Sequence, residues 1–206
     1  MTEQSFILRV EEMARRLEVQ PPKVKIAPAR GRDGLRVRVT GWVLRATPRT
    51  LSELSDAEIE FAIAHAMIAR IEPGQRKPHL VAAPFAVLTF IGVIILVFGQ
   101  ERFLENFYLG FGVVFGLMLA GYVAGMFVSI AVEEAARGRV IGEALNMTGN
   151  ASAAETYLIR SKTDHLLTGR RRLGTPDRDQ LDQQLDALKD AARRLGLSYY
   201  PVGMSD

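Results

Sequence analysis

The sequence predicts a mainly helical α+β fold, in which a small sheet packs on helices and a two-helix transmembrane hairpin interrupts the domain. Two uncharged runs predict the hairpin: twenty residues at 80–99 and twenty-six at 107–132. Twenty helical residues span about 30 Å, the thickness of the hydrocarbon core of a bilayer. A soluble fold is disfavoured, because a chain of 206 residues has too little other apolar material to wrap two such helices.

The orientation of the hairpin follows from the basic residues near its ends. The two runs are joined by seven residues, 100–106, which are enough for a turn but too few for a domain. Arg102 is the only basic residue among them. The basic residues that flank the outer ends of the hairpin are Arg70, Arg76, Lys77, Arg137 and Arg139. Cytoplasmic ends of membrane helices are enriched in Lys and Arg. We therefore expect an integral protein of the cell inner or plasma membrane with both termini in the cytoplasm.

Glycines in the uncharged runs indicate where the two helices meet. Gly112 and Gly116 form one G-x-x-x-G spacing, and Gly121 and Gly125 form a second. Small residues at this spacing let helix backbones approach closely in a membrane, and Gly92 offers a matching site in the first run. We expect these glycines to pack the hairpin together, with a dimer as the alternative.

Composition excludes several classes of function. The chain has no cysteine, so disulfides and Cys-ligated metal sites are excluded. The formal net charge of +3 comes without a basic face interleaved with aromatic residues, so a nucleic-acid partner is not expected. The basic run at 170–172 is interpreted as a solvated loop, with contact to anionic lipid headgroups as the alternative.

On either side of the hairpin lie the predicted halves of one cytoplasmic domain, residues 1–79 and 133–206. Apolar residues recur at helical spacing in 3–18, and Val24 and Ile26 alternate with lysines as in a half-buried strand. Residues 35–44 are predicted to form one extended run with a wet, arginine-bearing face. Glycines at 31 and 34 predict a turn before this run.

The remaining helices are predicted from their caps. Ser55 and Glu58 have capping-box spacing and begin a helix that continues to residue 70. After the hairpin, 133–147 continues as helix, 148–150 turns, and Asn150 caps a helix to about residue 167. A C-terminal helix between Thr175 and Gly196 has a narrow leucine stripe, which we expect to dock on the parent domain, with partner binding as the alternative.

This order of parts resembles the HtpX-like membrane zinc endopeptidases. Residues 54–65 read Leu-Ser-Asp-Ala-Glu-Ile-Glu-Phe-Ala-Ile-Ala-His, which looks like that family's approach to its zinc motif. Residues 148–150, Thr-Gly-Asn, look like the segment that follows its third-ligand helix. The resemblance covers most of the chain up to about residue 167 and implies a zincin-like minidomain around the hairpin.

The resemblance also implies where a metal site would be. In the family an H-E-x-x-H helix supplies two zinc ligands and a general base, and a downstream Glu completes the site. The corresponding positions here are His65, Ala66, Ala69, Glu134 and Gly138. Glu133 is the alternative third ligand, and Gly138 replaces the family's usual acid. His65 is interpreted as a hydrogen-bonded core residue of an apolar helix.

We therefore expect a pseudopeptidase with no catalytic residues, no cofactor and a binding, scaffolding or regulatory role. Its expected partners are the lipid bilayer and either another membrane protein or an extended polypeptide, since strand addition needs backbone groups but no metal. The predicted edge for that polypeptide contains Leu35, Val37, Val39 and Trp42. The alternatives are an active zinc metalloendopeptidase with a rearranged site, and a structural hairpin protein unrelated to peptidases.

Overall fold

The structure is a computed structural model that describes residues 1–27, 35, 37–72, 87, 90–92, 107–167 and 177–198. The elements with described bounds are α1 Glu3–Arg16, β1 Lys23–Ile26, β2 Val37–Thr40, β3 Val43–Ala46, α2 Pro48–Glu53, α3 Asp56–Ile71, α4 Phe107–Thr148, α5 Ala151–Leu167 and α6 Asp177–Arg194. The predicted mainly helical fold with a small sheet packed on helices is confirmed.

The chain divides into two compact units. The first unit combines Met1–Glu72 with Arg137–Asp206, and the second is Pro73–Ala136. Of the predicted first span, residues 87 and 90–92 are described and are helical. The rest of that span, the turns predicted at 31–34 and 100–106, the basic run at 170–172 and the predicted cap at Thr175 lie outside the described residues.

The three strands form one mixed sheet in the order β1-β3-β2. β1 runs parallel to β3, and β2 runs antiparallel to it. The prediction that residues 35–44 form one extended run is wrong, because the chain reverses between Thr40 and Val43, which pair with each other. Gly41 adopts φ +64°, which its lack of a Cβ permits, and takes the first position of the two-residue loop. The reversal puts Leu44 in the central strand and Trp42 in the turn.

One face of the sheet and the facing sides of the helices enclose a single apolar cluster in the first unit. Within β2 and β3, side chains alternate between buried and exposed, as expected where one face is packed and the other is wet. The largest fully buried apolar side chains are Phe6, Val10, Leu44, Ile59, Phe61, Ile63, Met67, Val140, Ile141, Leu145 and Leu188.

α3 begins with the predicted capping box. The Ser55 hydroxyl accepts from the Glu58 backbone N–H, and the Glu58 carboxylate accepts from the Ser55 N–H at 2.7 Å. The short helix α2 was not predicted. It begins at Pro48 after the cap Thr47, whose hydroxyl accepts from the Thr50 N–H, so six residues gain a helical turn without an apolar stripe.

α4 is continuous from Phe107 to Thr148, as the sequence predicted for the second apolar run and its polar extension. Its segment Phe115–Thr148 is long and apolar enough to cross a membrane, by length and composition alone. Side chains in the apolar part are exposed, including Phe115, Tyr122 and Phe127. In a soluble core helix such side chains would be buried, so the exposed face supports membrane association.

The end of α4 and the helix after it follow the predicted pattern. Gly149 takes φ +66° directly after α4, and the Asn150 side chain accepts from the Ala153 N–H at 2.9 Å. A left-handed glycine terminates the first helix and an Asn cap starts the second, which is the expected use of both residue types. The predicted turn at 148–150 is therefore confirmed.

The C-terminal helix α6 docks on the first unit, as predicted. Leu188 and Ala192 from its apolar stripe are fully buried in the common cluster. A Cβ added to Gly142 of α4 would lie 3.7 Å from the Cβ of Ala191, which is ordinary van der Waals contact. Small residues on both helices therefore let α4 and α6 pack closely.

Candidate functional site

The candidate site is the part of α3 that carries His65. The imidazole stacks on the ring of Phe61, with 5.9 Å between ring centroids and an interplanar angle of 29°. His65 as a whole is half-buried, but its Nε2 atom is fully buried and has no hydrogen-bond partner in the described part of the chain. The hydrogen bond expected for a core histidine is thus not provided at Nε2.

The surroundings of His65 favour a neutral ring. Burial, together with the positive charge of Arg137, lowers the pKa of His65 from 6.5 to about 4. Desolvation disfavours the charged form of any ionisable group, and a nearby cation adds to that effect for an imidazole. His65 is therefore uncharged at neutral pH, which is the form that accepts a hydrogen bond or binds a metal.

The residues near His65 on α3 do not complete a zinc site. Ala66 is 8% exposed and belongs to the apolar cluster, and Ala69 is half-buried against the same cluster. Neither methyl group can donate electrons to a metal, whereas a catalytic zinc takes three protein ligands and one open position. In the described part of the chain, no group of three or more His, Asp or Glu side chains is placed to hold a metal ion. The donor set on α3 does not fit zinc.

The other predicted metal positions lie on α4. Glu133 is half-buried and Glu134 is exposed, and both belong to the unit Pro73–Ala136, whereas His65 belongs to the first unit. Gly138 lies in the first unit and faces α6, where an added Cβ would be 3.9 Å from the Cβ of Ala187. The absence of an acid at Gly138 is consistent with this helix contact, which favours a small residue.

The predicted binding edge is reduced to β2. A two-residue loop makes Thr40 and Val43 a hydrogen-bonded pair, and such pairs alternate with non-bonded ones along an antiparallel ladder. The backbone N–H and C=O groups of Val37 and Val39 therefore point away from β3. In the described residues β2 pairs with β3 alone, and it packs beside α3. Two residues thus offer outward backbone groups next to the His65 helix.

Leu35 has a different role from the one predicted. Its backbone N–H donates to Asp164 Oδ2 at 2.8 Å, and the same carboxylate accepts from Arg49 Nη1 at 2.8 Å. Leu35 and Asp164 are both buried. The hydrogen bond from the Leu35 N–H therefore holds the residues before β2 against α5. Val37 and Val39 remain as the part of the edge whose backbone groups point outward.

An open pocket of about 470 Å³ lies beside this contact. Its lining is Leu35, Arg49, Glu53, Ile159, Arg160, Thr163 and Asp164. Arg49 pairs with the carboxylates of Glu53 and Asp164, and Arg160 lies 3.5 Å from the buried carboxylate of Glu58. Because carboxylates balance both guanidinium groups, this is a structural ion-pair network that joins α2, α3 and α5.

Sequence reasoning did not find this network. Asp164 follows Tyr157 by seven residues, which puts both on one face of α5, and a carboxylate on a buried face signals a partner. The capping role of Glu58 was predicted, but its pairing with Arg160 across 101 intervening positions has no local signature.

Comparison of the chain with protein-family models, with curated proteins and with solved structures found no match.

Proposed function

We propose that this chain is a membrane-anchored, non-catalytic relative of the HtpX-like zinc endopeptidases that binds an extended polypeptide at β2. The observation that carries the proposal is the position of β2, which is paired on one described side and packed beside the helix with His65. An extended peptide that adds to such an edge gains affinity from backbone hydrogen bonds and specificity from alternate side-chain positions.

The absence of catalysis in this proposal rests on Ala66 and Ala69. Ala66 occupies the position of the general base and Ala69 that of the second histidine in the resemblance. A positioned base contributes roughly 10²- to 10⁴-fold to a hydrolytic rate. A binding role requires only the strand and the helix that would hold the polypeptide, and it requires no metal.

The proposed membrane arrangement is a two-helix hairpin with both termini in the cytoplasm. Support comes from the exposed apolar side chains of α4 and from the basic residues Arg137 and Arg139 that follow its apolar part. The polypeptide bound at β2 is then cytoplasmic, or is the cytoplasmic segment of another membrane protein.

A metal and cleavage assay tests whether the protein is an enzyme. The full chain is purified in detergent, its zinc content is measured, and cleavage of unfolded casein is followed with and without a chelator. We expect no stoichiometric zinc and no chelator-sensitive cleavage. Stoichiometric zinc with chelator-sensitive cleavage would instead establish an active metalloendopeptidase with a rearranged site.

The binding role is tested with Val39→Pro, which removes one outward N–H while sparing the β2–β3 ladder. Proline is tolerated where the strand N–H faces away from the sheet. Loss of one backbone hydrogen bond should weaken binding of labelled, unfolded casein about fivefold.

The matched control is Val39→Ala, which shortens the same side chain and keeps the N–H. Thermal melts of both variants establish that the first unit is folded. Equal casein affinity in the two variants would contradict strand addition at β2, and no measurable affinity in the unaltered chain would contradict the binding role itself.

A further inference from the structure

A row of three cationic side chains crosses the sheet on the face away from the core. Lys25 of β1 lies opposite Arg45 of β3, which in turn lies opposite Arg38 of β2. Side chains at paired positions point to the same face, and all three residues are exposed. In the described part of the chain, no acidic side chain lies within 4.0 Å of any of them.

Repulsion among these three charges destabilises the folded sheet. Like charges directly opposite each other on neighbouring strands destabilise a sheet. Several other exposed arginines described in this unit pair with a nearby carboxylate, as Arg15 does with Glu12. The row formed by Lys25, Arg38 and Arg45 therefore presents uncompensated positive charge, which a flat, negatively charged surface would neutralise.

The tip of the β2–β3 hairpin adds an interfacial anchor at the end of the same sheet. Trp42 is 38% exposed at this tip. Tryptophan is enriched at the boundary between membrane and water, where its ring lies at headgroup level. The Arg70 side chain donates to the carbonyl of Gly41 at 2.8 Å, which fixes the tip to the last turn of α3.

The chain leaves and re-enters the first unit next to this tip. α3 ends at Ile71, and the following Glu72 forms an ion pair with Arg139 at 2.6 Å. Six residues lie between Val132, the last residue of the predicted second span, and Arg139, and all of them are helical in α4, so the two positions are about 10 Å apart along the helix. The predicted second span is therefore joined to the first unit by a short stretch of chain.

We infer that the exposed sheet face with Lys25, Arg38 and Arg45, together with Trp42, docks on anionic lipid headgroups of the membrane in which the chain is anchored. The inference rests on the membrane anchoring in the proposed function. It uses the face of β2, whereas the polypeptide uses the edge of β2, so the two can be tested separately. A docked sheet would hold the β2 edge in a fixed orientation at the membrane surface.

The test uses Trp42, which is the only tryptophan in the chain. The full chain is reconstituted in nanodiscs of phosphatidylcholine alone or mixed with phosphatidylglycerol, and quenching of Trp42 by brominated lipid is measured. We expect stronger quenching in the anionic discs and its reversal by salt. The triple variant Lys25→Gln, Arg38→Gln, Arg45→Gln should lower the ratio of docked to undocked protein by about tenfold or more.

The control triple variant is Lys189→Gln, Arg193→Gln, Arg194→Gln on α6, which removes the same charge from another exposed surface. It should quench like the unaltered chain. Equal quenching in the two kinds of disc, an equal loss in the two triple variants, or a larger Trp42 response to duplex DNA than to anionic discs would each overturn the inference. A chain that stays soluble without detergent and does not enter discs would overturn the membrane anchoring as well.

Discussion

The imidazole of His65 has a buried Nε2 atom, an aromatic neighbour in Phe61 and the charge of Arg137 in its surroundings. Burial of the ring and the charge of Arg137 both disfavour protonation of the imidazole. The sequence indicated that His65 lies on an apolar helix, because the residues around it are nearly all apolar. It could not indicate the unpartnered nitrogen, since that depends on residues brought together only by the fold.

Unfolding of the protein should depend on the protonation of His65. Burial lowers its pKa to about 4 in the folded state from 6.5 when unfolded, so the unfolded state binds more protons between these values. The contribution of neutral His65 to the free energy of unfolding is fully present above pH 6.5. It is lost as pH falls toward 4, by at most about 3 kcal/mol. Denaturant unfolding of His65→Phe should lack this part of the pH dependence. An unchanged pH dependence in that variant would contradict a neutral, buried His65.

Restoring the metal motif tests whether α3 faces a space or a packed core. Ala66→Glu with Ala69→His recreates the motif letters, but Ala66 is buried in the apolar cluster. A buried carboxylate without a partner is costly, and we expect the double variant to lose about 2–4 kcal/mol of unfolding free energy. Ala69→His alone is the milder control, because Ala69 is half-buried. Stoichiometric zinc binding with undiminished stability would contradict the packed environment.

Helices and strands differ in how well their local signals predicted them. The capping box at Ser55 and the left-handed Gly149 are local features, and both helix boundaries followed from sequence. The reversal at Gly41 was missed, because Trp42, Val43 and Leu44 continue a β-favouring run through the loop. The side-chain pattern of the two strands is compatible with one long strand and with a hairpin. Only the pairing of β2 with β3 decides between the two.

The contact of α5 with the start of β2 depends on one carboxylate. Asp164→Ala would leave the Leu35 N–H and the Arg49 side chain without this acceptor, and Asp164 is 7% exposed. We expect a loss of about 2–3 kcal/mol in unfolding free energy and faster hydrogen exchange at the Leu35 amide. Asp186→Ala removes an exposed carboxylate from α6 and should change stability by less than about 0.5 kcal/mol. Similar losses in the two variants would contradict the role of Asp164.

The first unit is assembled from two separate stretches of sequence. Phe61 of α3, Ile141 of α4 and Leu188 of α6 are all fully buried in one cluster, although residues 73–136 separate the first from the others. From the two uncharged runs, the sequence predicts domain halves at residues 1–79 and 133–206. The side of α4 that joins the cluster has a local signature that was not used, because Ala136, Val140, Ile141, Ala144 and Leu145 recur at helical spacing and are all fully buried.

Removing residues 73–136 tests whether the first unit is independent. The ion pair between Glu72 and Arg139 places the two chain ends close together, so a short Gly/Ser linker can join Glu72 to Arg137. We expect a protein that is monomeric without detergent and keeps its helical circular dichroism, because the exposed apolar side chains of residues 115–130 are gone. Breaking the ion pair with Arg139→Ala should cost at most about 1 kcal/mol. Aggregation of the shortened protein would contradict independence.

The split of the first unit has a consequence for biosynthesis. When a ribosome has completed Met1–Glu72, the apolar surfaces of α1, α3 and the sheet have no partners yet, because α4, α5 and α6 lie downstream. At 5–20 residues per second, roughly, translation of the next 64 positions keeps those surfaces open to water for several seconds. A nascent chain stalled within residues 73–136 should therefore be a substrate for holding chaperones until the downstream helices emerge.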